Sequence, residues 1–419
     1  MSGLLIKGAI VKGERRDILI EGNRIKKIGV DLHGEASEVL DAEGMIAVAA
    51  FVNGHTHAAM TLFRGYADDM PLMQWLNEKI WPLEAKLTEE DVYWGTKLAC
   101  LEMIKSGTTL FNDMYWHWRG VARAVAEMGI RAAVSAVFID LFDERRRREQ
   151  MRLNEELFAE SRHYPSRVIF SLGPHAIYTC SEEALRWCAE FAQEQGLLIH
   201  IHLSETRQEV EDCLKAHGLR PVEYLERIGF LGPNVVAAHG VWLSEREMDI
   251  LAERGVKVVH NPISNMKLAV GAVFPYKGLK KRGVQVLIGT DGCASNNNLD
   301  MLSSAKVAAL LQKLHQGDPE ALPAEEALQM ITSEGFRAFG LEGGEVKEGA
   351  LADLLLLNPQ EPALVPHFNL ASDLIYAANG SCVDTLICDG KVLMRRRKVE
   401  GEEEVIEEAR RVAHDLLRR

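Results

Sequence analysis

The chain predicts an α/β protein: a (β/α)8 TIM barrel carrying a small β-sandwich domain built from the N- and C-terminal segments. Three observations lead there. Through the middle of the chain, short apolar strands alternate with longer helical patterns, the rhythm of βαβ units around a parallel sheet. Eight such strands can be counted, a number that suits a closed barrel better than an open sheet. Both ends of the chain break this rhythm, with short apolar runs set between Gly and charged turns. The expected division is residues 1–49 plus 346–419 for the composite domain and its terminal helix, and 50–345 for the catalytic barrel.

At the N-terminus, LLIKGAIV, RRDILIEG and NRIKKIGV read as strands. The barrel strands are AVAAFVNGHTH, TTLFNDM, RAAVSAVFID, RVIFSLGPH, LLIHIHLSE, VVAAHGV, VKVVHNP and VQVLIGTDG. Helical stretches such as EEALRWCAEFAQEQ and SEREMDILAERG separate several of them. ADLLLLN, DTLICDG and KVLMRRRKVEG return to the strand pattern. In EEEVIEEARRVAHDLLRR, Val405, Ile406, Ala409, Val412, Ala413, Leu416 and Leu417 fall at helical spacing, which predicts an amphipathic terminal helix that packs on the protein.

Bulk properties narrow the function. The net charge of −13 argues against a nucleic-acid surface, because phosphate contacts need clustered Lys and Arg. The one basic run, Arg145 to Arg148, sits among acidic residues and reads as a solvated helix face, or as a holder for an anionic substrate group. Seven scattered cysteines without a C-x-x-C pair read as reduced thiols. The apolar run Met45 to Val52 is too short to span a bilayer, and the N-terminus lacks a signal-peptide pattern. The expectation is a soluble, cytoplasmic protein with neither nucleic acid nor membrane as a partner.

Chemistry concentrates at the polar strand ends, where barrel active sites lie. Side chains two apart on a strand point the same way, so His55 and His57 can grip one ion. HIHLSE adds His200, His202 and Glu205; His202 is the outer imidazole, and His200 reads as a hydrogen-bonded interior histidine. His239 closes the sixth strand and Asp291 the eighth. Alone, each could be a structural polar cap; their falling together at one end of a barrel points to a metal centre. Catalytic zinc takes N and O ligands, keeps an open position and lowers the pKa of water towards ~7. A second ion would ordinarily need a bridging acid such as a carboxylated Lys, and RVIFSLGPH has no Lys, so one divalent ion is expected.

GHTH, HIHLSE, AAHG and GTDG, with the split terminal sandwich, resemble the amidohydrolase superfamily over essentially the whole chain. More narrowly, LFRGYADDMPLMQWLNEKIWPLEAKL, SGTTLFNDMY, GPHAIYTCS, HNPISNMKLA and TDGCASNNNLDM resemble deaminases of methylthioadenosine, S-adenosylhomocysteine and 5′-deoxyadenosine. The resemblance implies His55, His57, His202 and Asp291 as ligands of one metal ion, with Zn2+ expected and Fe2+, Mn2+ or Ni2+ as alternatives. It implies Glu205 as the acid that protonates the purine ring, and His239 with Asp291 as the groups that orient and deprotonate the attacking water. It makes Glu84 the acceptor for ribose hydroxyls, with Trp75, His175, Ser295 and Arg148 as further substrate contacts. A homo-oligomer is the family expectation.

There is one departure. Relatives that handle S-adenosylhomocysteine can carry an Arg on the third barrel strand, and VSAVFID has none. A small 5′ group is therefore expected. Two other readings stand beside this one. The first is deamination of guanine, cytosine or a triazine, or hydrolysis of a cyclic amide; Glu84 and Trp75 count against it, since a free base has no diol to hold. The second is a catalytically dead scaffold of the same fold, whose signature would be a lost ligand or acid, and none is missing.

Overall fold

The computed structural model describes residues 3–33 and 36–419. Seventeen strands are numbered here in chain order: β1 (Gly3–Val11), β2 (Glu14–Glu21), β3 (Arg24–Gly29), β4 (Glu38–Asp41), β5 (Ile46–Ala49), β6 (Phe51–Thr56), β7 (Thr108–Tyr115), β8 (Arg131–Phe138), β9 (Val168–Pro174), β10 (Leu198–Leu203), β11 (Val235–His239), β12 (Lys257–His260), β13 (Val286–Ile288), β14 (Leu354–Leu357), β15 (Val383–Cys388), β16 (Lys391–Arg395) and β17 (Lys398–Val399).

β6 to β13 are the eight barrel strands anticipated from the sequence. They pair in chain order, all parallel, through one continuous ladder. Where β13 meets β6 the circle closes through single contacts: the Asp291 N–H donates to the His55 carbonyl at 3.0 Å, and Asn53 exchanges hydrogen bonds with Thr290 at 2.7 and 3.0 Å. Gly54 makes this approach possible. A Cβ there would stand 2.9 Å from Val259 Cγ1 and 3.1 Å from the Ile288 carbonyl oxygen. The closing seam thus sets Asp291 beside His55 by main-chain bonding.

Below the polar strand ends the barrel is filled by an apolar layer of Val52, Leu110, Ala133, Val236, Val259 and Leu287, packed against Phe336 and Phe339. The branched or small side chains of successive strands meet there, as in other filled barrels. The interior is a packed core, and only its outer end is left for chemistry.

The two chain ends form one nine-stranded sheet in the order β17-β16-β15-β14-β5-β1-β2-β3, with β4 added alongside β1. Its strands enclose a separate core that includes Ile6, Ile18, Leu40, Leu354 and Ile387. The segment KVLMRRRKVEG, read as a single strand, is instead the hairpin β16–β17. The terminal helix Glu402–Arg418 buries Val405, Ala409, Val412 and Leu416. Ile406 and Leu417 stay exposed, so its apolar stripe is narrower than the spacing suggested. No helix among the described residues is long and apolar enough to cross a membrane. All seven cysteines are free and buried.

Candidate metal and active centre

His55 and His57 leave β6, His202 leaves β10, His239 ends β11, and Asp291 follows β13. Three of these turns are conformationally costly. Ser204, His239 and Asp291 hold φ of 50°, 76° and 64°, left-handed values that side chains other than glycine adopt sparingly. Such values cluster where geometry serves chemistry.

Four atoms converge. Asp291 Oδ1 lies 3.2 Å from His55 Nε2 and 3.3 Å from His57 Nε2, and His57 Nε2 lies 3.2 Å from His202 Nε2. Ligands held about 2.0–2.1 Å from a zinc ion in a tetrahedron stand about 3.3–3.4 Å apart. The observed spacings match. His55 Nε2 is fully buried with no hydrogen-bond partner, an atom whose desolvation a cation would offset. The donor set of three imidazoles and one carboxylate suits zinc or a similar divalent ion.

The far side of three of these four groups is also held. His57 Nδ1 bonds the Met114 carbonyl at 2.6 Å, and His202 Nδ1 bonds the His175 carbonyl at 2.8 Å. Asp291 Oδ2 accepts from the hydroxyls of Ser264 at 2.6 Å and Ser295 at 2.8 Å. Those two serines leave Oδ1 to face the imidazoles. Burial pushes the His55 imidazole down to about 4, against the pull of Asp291, so the ring is a neutral donor at neutral pH.

Glu205 sits beside this cluster. Burial raises its pKa and the Asp291 carboxylate adds to the rise, while His239 opposes both. His239 Nδ1 is 3.7 Å from Glu205 Oε1 and 2.9 Å from Asn265 Oδ1. Burial disfavours charge on His239, yet the carboxylates of Glu205 and Asp291 outweigh it and raise the imidazole pKa. Behind Glu205, the buried Glu209 carboxylate accepts the N–H groups of Ser204 and Glu205, both at 2.8 Å, and so clamps the turn that carries the acid.

Two neighbouring spaces with part of their lining in common lie at this end of the barrel. An inner cavity of about 90 Å³ is lined by His57, His202, Glu205, His239 and Asp291, with Trp75 and Ser295 in its wall. A larger chamber of about 850 Å³ beside it is lined by Trp116, Trp118, Leu153 and Arg146 among others. Glu84 and His175 line both spaces and mark their junction. Burial raises the Glu84 pKa, tempered by Tyr115 and Trp116, which face its carboxylate.

The structure therefore brings together His55, His57, His202, His239, Asp291, Glu205, Glu84, His175, Trp75 and Ser295. Arg148 is the exception. Its side chain is 73% exposed, pairs with Glu144 and lines neither space. The helix Glu144–Ser161 turns Arg146, Gln150, Leu153 and Leu157 to the chamber, and a residue two positions from Arg146 faces nearly the opposite way. Ser264, Asn265, Glu209 and Tyr115 were not singled out by sequence reasoning. Ser264 and Asn265 lie inside the quoted stretch HNPISNMKLA, which was the only signal for them. His260, which ends β12, is buried and stacks on Phe274 with ring centroids 4.3 Å apart.

The model of the amidohydrolase family matches residues 46–393. The chain is 51% identical over 409 residues to the 5′-deoxyadenosine deaminase of Methanoregula boonei, covering 96% of this chain and 92% of that protein. It is 49% identical over 395 residues to the 5-methylthioadenosine/S-adenosylhomocysteine deaminase of Thermococcus sibiricus, covering 94% and 93% respectively. Among solved structures, an adenosine deaminase from Xanthomonas campestris with bound zinc superimposes with a TM-score of 0.93 at 33% identity, covering 100% of this chain and 99% of that one.

Proposed function

The chain belongs to the amidohydrolase family, and from that premise we propose that it is a metal-dependent hydrolase that deaminates 5′-modified adenosines to the inosine analogues and ammonia. One observation carries the reading: Glu84 stands at the junction between the metal cluster and the larger chamber. A nucleoside fits that order, with its base at the metal, its ribose at Glu84 and its 5′ substituent in the chamber. In this reading residues 50–345 form the catalytic domain, and residues 1–49 with 346–419 form the composite domain beside it.

His55, His57, His202 and Asp291 would hold one divalent ion, zinc by its donor set. When bound, that ion supplies Lewis acidity and brings a water to reactive pKa near neutrality. The remaining work falls to the protein. His239, its Nδ1–H directed at Asn265, turns Nε2 towards the inner cavity, where it orients the attacking water and takes up its proton. Glu205 keeps its proton more readily than an exposed carboxyl because it is buried, so it can protonate the purine ring nitrogen as water adds to the carbon bearing the amine. His239 then passes the proton it took to the amine, the added hydroxyl gives its own back to Glu205, and the C–N bond breaks to release ammonia as the ring carbonyl forms. Glu84 offers an acceptor-only carboxylate to two vicinal hydroxyls. Trp75, His175 and Ser295 complete the substrate wall, and Ser295 does so while holding Asp291.

The chamber wall near Trp116, Trp118, Leu153 and Leu157 is mainly apolar, and β8 carries no Arg apart from Arg131 at its start. We therefore expect 5′-deoxyadenosine or methylthioadenosine as preferred substrate. One observation favours a second reading: Arg146 lines the chamber and forms no salt bridge among the described residues, which suits the carboxylate of S-adenosylhomocysteine. Steady-state ammonia release across adenosine, 5′-deoxyadenosine, methylthioadenosine, S-adenosylhomocysteine, 2′-deoxyadenosine, adenine, guanine and cytosine tests both. Substrates with an intact ribose diol should exceed 2′-deoxyadenosine and adenine by ~10-fold or more in kcat/KM, since an unpaired buried acceptor costs about 1–3 kcal/mol. Preference for a free base would overturn the role of Glu84. Preference for S-adenosylhomocysteine would keep the reaction and move specificity to Arg146.

A further inference from the structure

The three imidazoles assigned to the metal differ in what holds their far nitrogen. For His57 and His202 the partner is a main-chain carbonyl, of Met114 and His175. A carbonyl can only accept, so each ring must carry its proton on Nδ1 and present Nε2 as a lone pair. His55 has no such carbonyl. Its Nδ1 meets His200 Nε2 at 2.7 Å, with both rings buried and nearly perpendicular at 89°.

We propose that His200 is a positioning residue for the metal centre: as its Nδ1–H tautomer it accepts the His55 Nδ1 proton and thereby turns the His55 Nε2 lone pair to the ion. The inference rests on the ligand assignment above and deepens it, since nothing in that assignment calls for His200. Two neutral imidazoles sharing one hydrogen bond have two arrangements. If His200 donates from Nε2, His55 must carry its own proton on Nε2, pointing an N–H at the place where a cation would sit. If His55 donates, its Nε2 is bare and His200 carries its proton on Nδ1. Ser135 Oγ, 3.5 Å from His200 Nδ1 and paired at 2.8 Å with Ser171 Oγ, stands where that proton would point. Side-chain alternation on β10 explains how one strand does both tasks. His202 is a ligand, and two residues deeper His200 braces the ligand contributed by β6.

Zinc affinity of the metal-stripped full chain, measured by competition with a chromophoric chelator, tests this on four proteins: the natural sequence, His55→Ala, His200→Leu and His200→Gln. Outer partners of metal-bound histidines typically contribute about 10–100-fold in affinity, and His200→Leu should lose that much. His200→Gln, whose amide oxygen falls near the place of Nε2, should stay within about threefold of the natural protein on the same scale. Unchanged affinity in His200→Leu with weakened binding in His55→Ala overturns the proposal and leaves the ligand set standing. Unchanged affinity in His55→Ala overturns the ligand set itself. Equal weakening in both His200 variants would mark a packing defect and also overturn the proposal. Should His200→Leu fail to fold, 15N-histidine NMR of the natural protein loaded with zinc decides. A proton on His200 Nδ1 agrees with the assignment, and one on Nε2 contradicts it.

Discussion

Glu205 and Asp291 are two carboxylates beside the same cluster of imidazoles, yet their surroundings differ. Asp291 accepts hydrogen bonds from two serines, and against its burial the imidazoles of His55, His57 and His239 hold its pKa well below the usual range. Glu205 has no such donors on its side chain, and burial raises its pKa. The surroundings favour the anion at Asp291 and the proton at Glu205, as the proposed general-acid role of Glu205 requires. Glu205→Gln should therefore keep its metal and lose at least the ~10² in kcat that a general acid–base group contributes. Metal analysis beside steady-state kinetics checks this, and near-normal turnover would move the proton transfer elsewhere. Ser264→Ala should weaken metal binding or activity by about 10–100-fold, because it frees Asp291 Oδ2 from half its anchor. Chelator competition reads the loss. The convergence of His55, His57, His202, Asp291 and Glu205 at one end of the barrel was legible in the chain because strand alternation and strand ends mark these positions. Ser264 and Asn265 were not, because they reach Asp291 and His239 from the helix Pro262–Lys267, which follows β12 and carries no periodic signal of its own.

Among the elements, the helix Glu144–Ser161 shows what a basic run leaves undecided. Four consecutive arginines occupy every side of a helix, so the residue facing the chamber depends on a phase fixed only by packing of Leu157 and Asn154. Arg148→Ala should leave kcat/KM within about twofold for every nucleoside, consistent with a solvated surface pair of little energetic weight. A selective loss with S-adenosylhomocysteine would restore it to the substrate site. The barrel strands were easier to read, since apolar runs ending in polar residues define them locally. Their closure followed from the strand count, but the local contacts that make it were not legible: the Asp291–His55 main-chain bond and the space left by Gly54. Gly54→Ala must push a Cβ against the Ile288 carbonyl and should cost about 1–3 kcal/mol by overpacking. Urea denaturation measures that cost. Metal affinity should fall with it, because the same seam spaces two ligands.

For the molecule as a whole, the active end of the barrel holds buried charge that the stability curve should report. Burial raises the Glu209 pKa from 4.5 to about 7, against the two N–H donors that favour its anion. A folded-state pKa above the unfolded value means the proton favours the fold. That contribution is complete below about pH 4.5 and is lost as pH rises through about 7, a swing on the order of 3 kcal/mol. Metal-free protein should lose more stability between pH 5 and pH 8 than its Glu209→Gln variant does, as read by denaturant unfolding at the two pH values. Identical slopes would mean Glu209 titrates alike in both states. The central claim, a nucleoside deaminase built around one metal ion, is tested most directly by zinc titration of the metal-stripped protein while 5′-deoxyadenosine is followed in the ultraviolet. No turnover is expected before addition, with activity that saturates at one equivalent per chain and one ammonia released per 5′-deoxyinosine formed. Saturation only at two equivalents, or a fully loaded protein that leaves 5′-deoxyadenosine and methylthioadenosine unchanged, would contradict it.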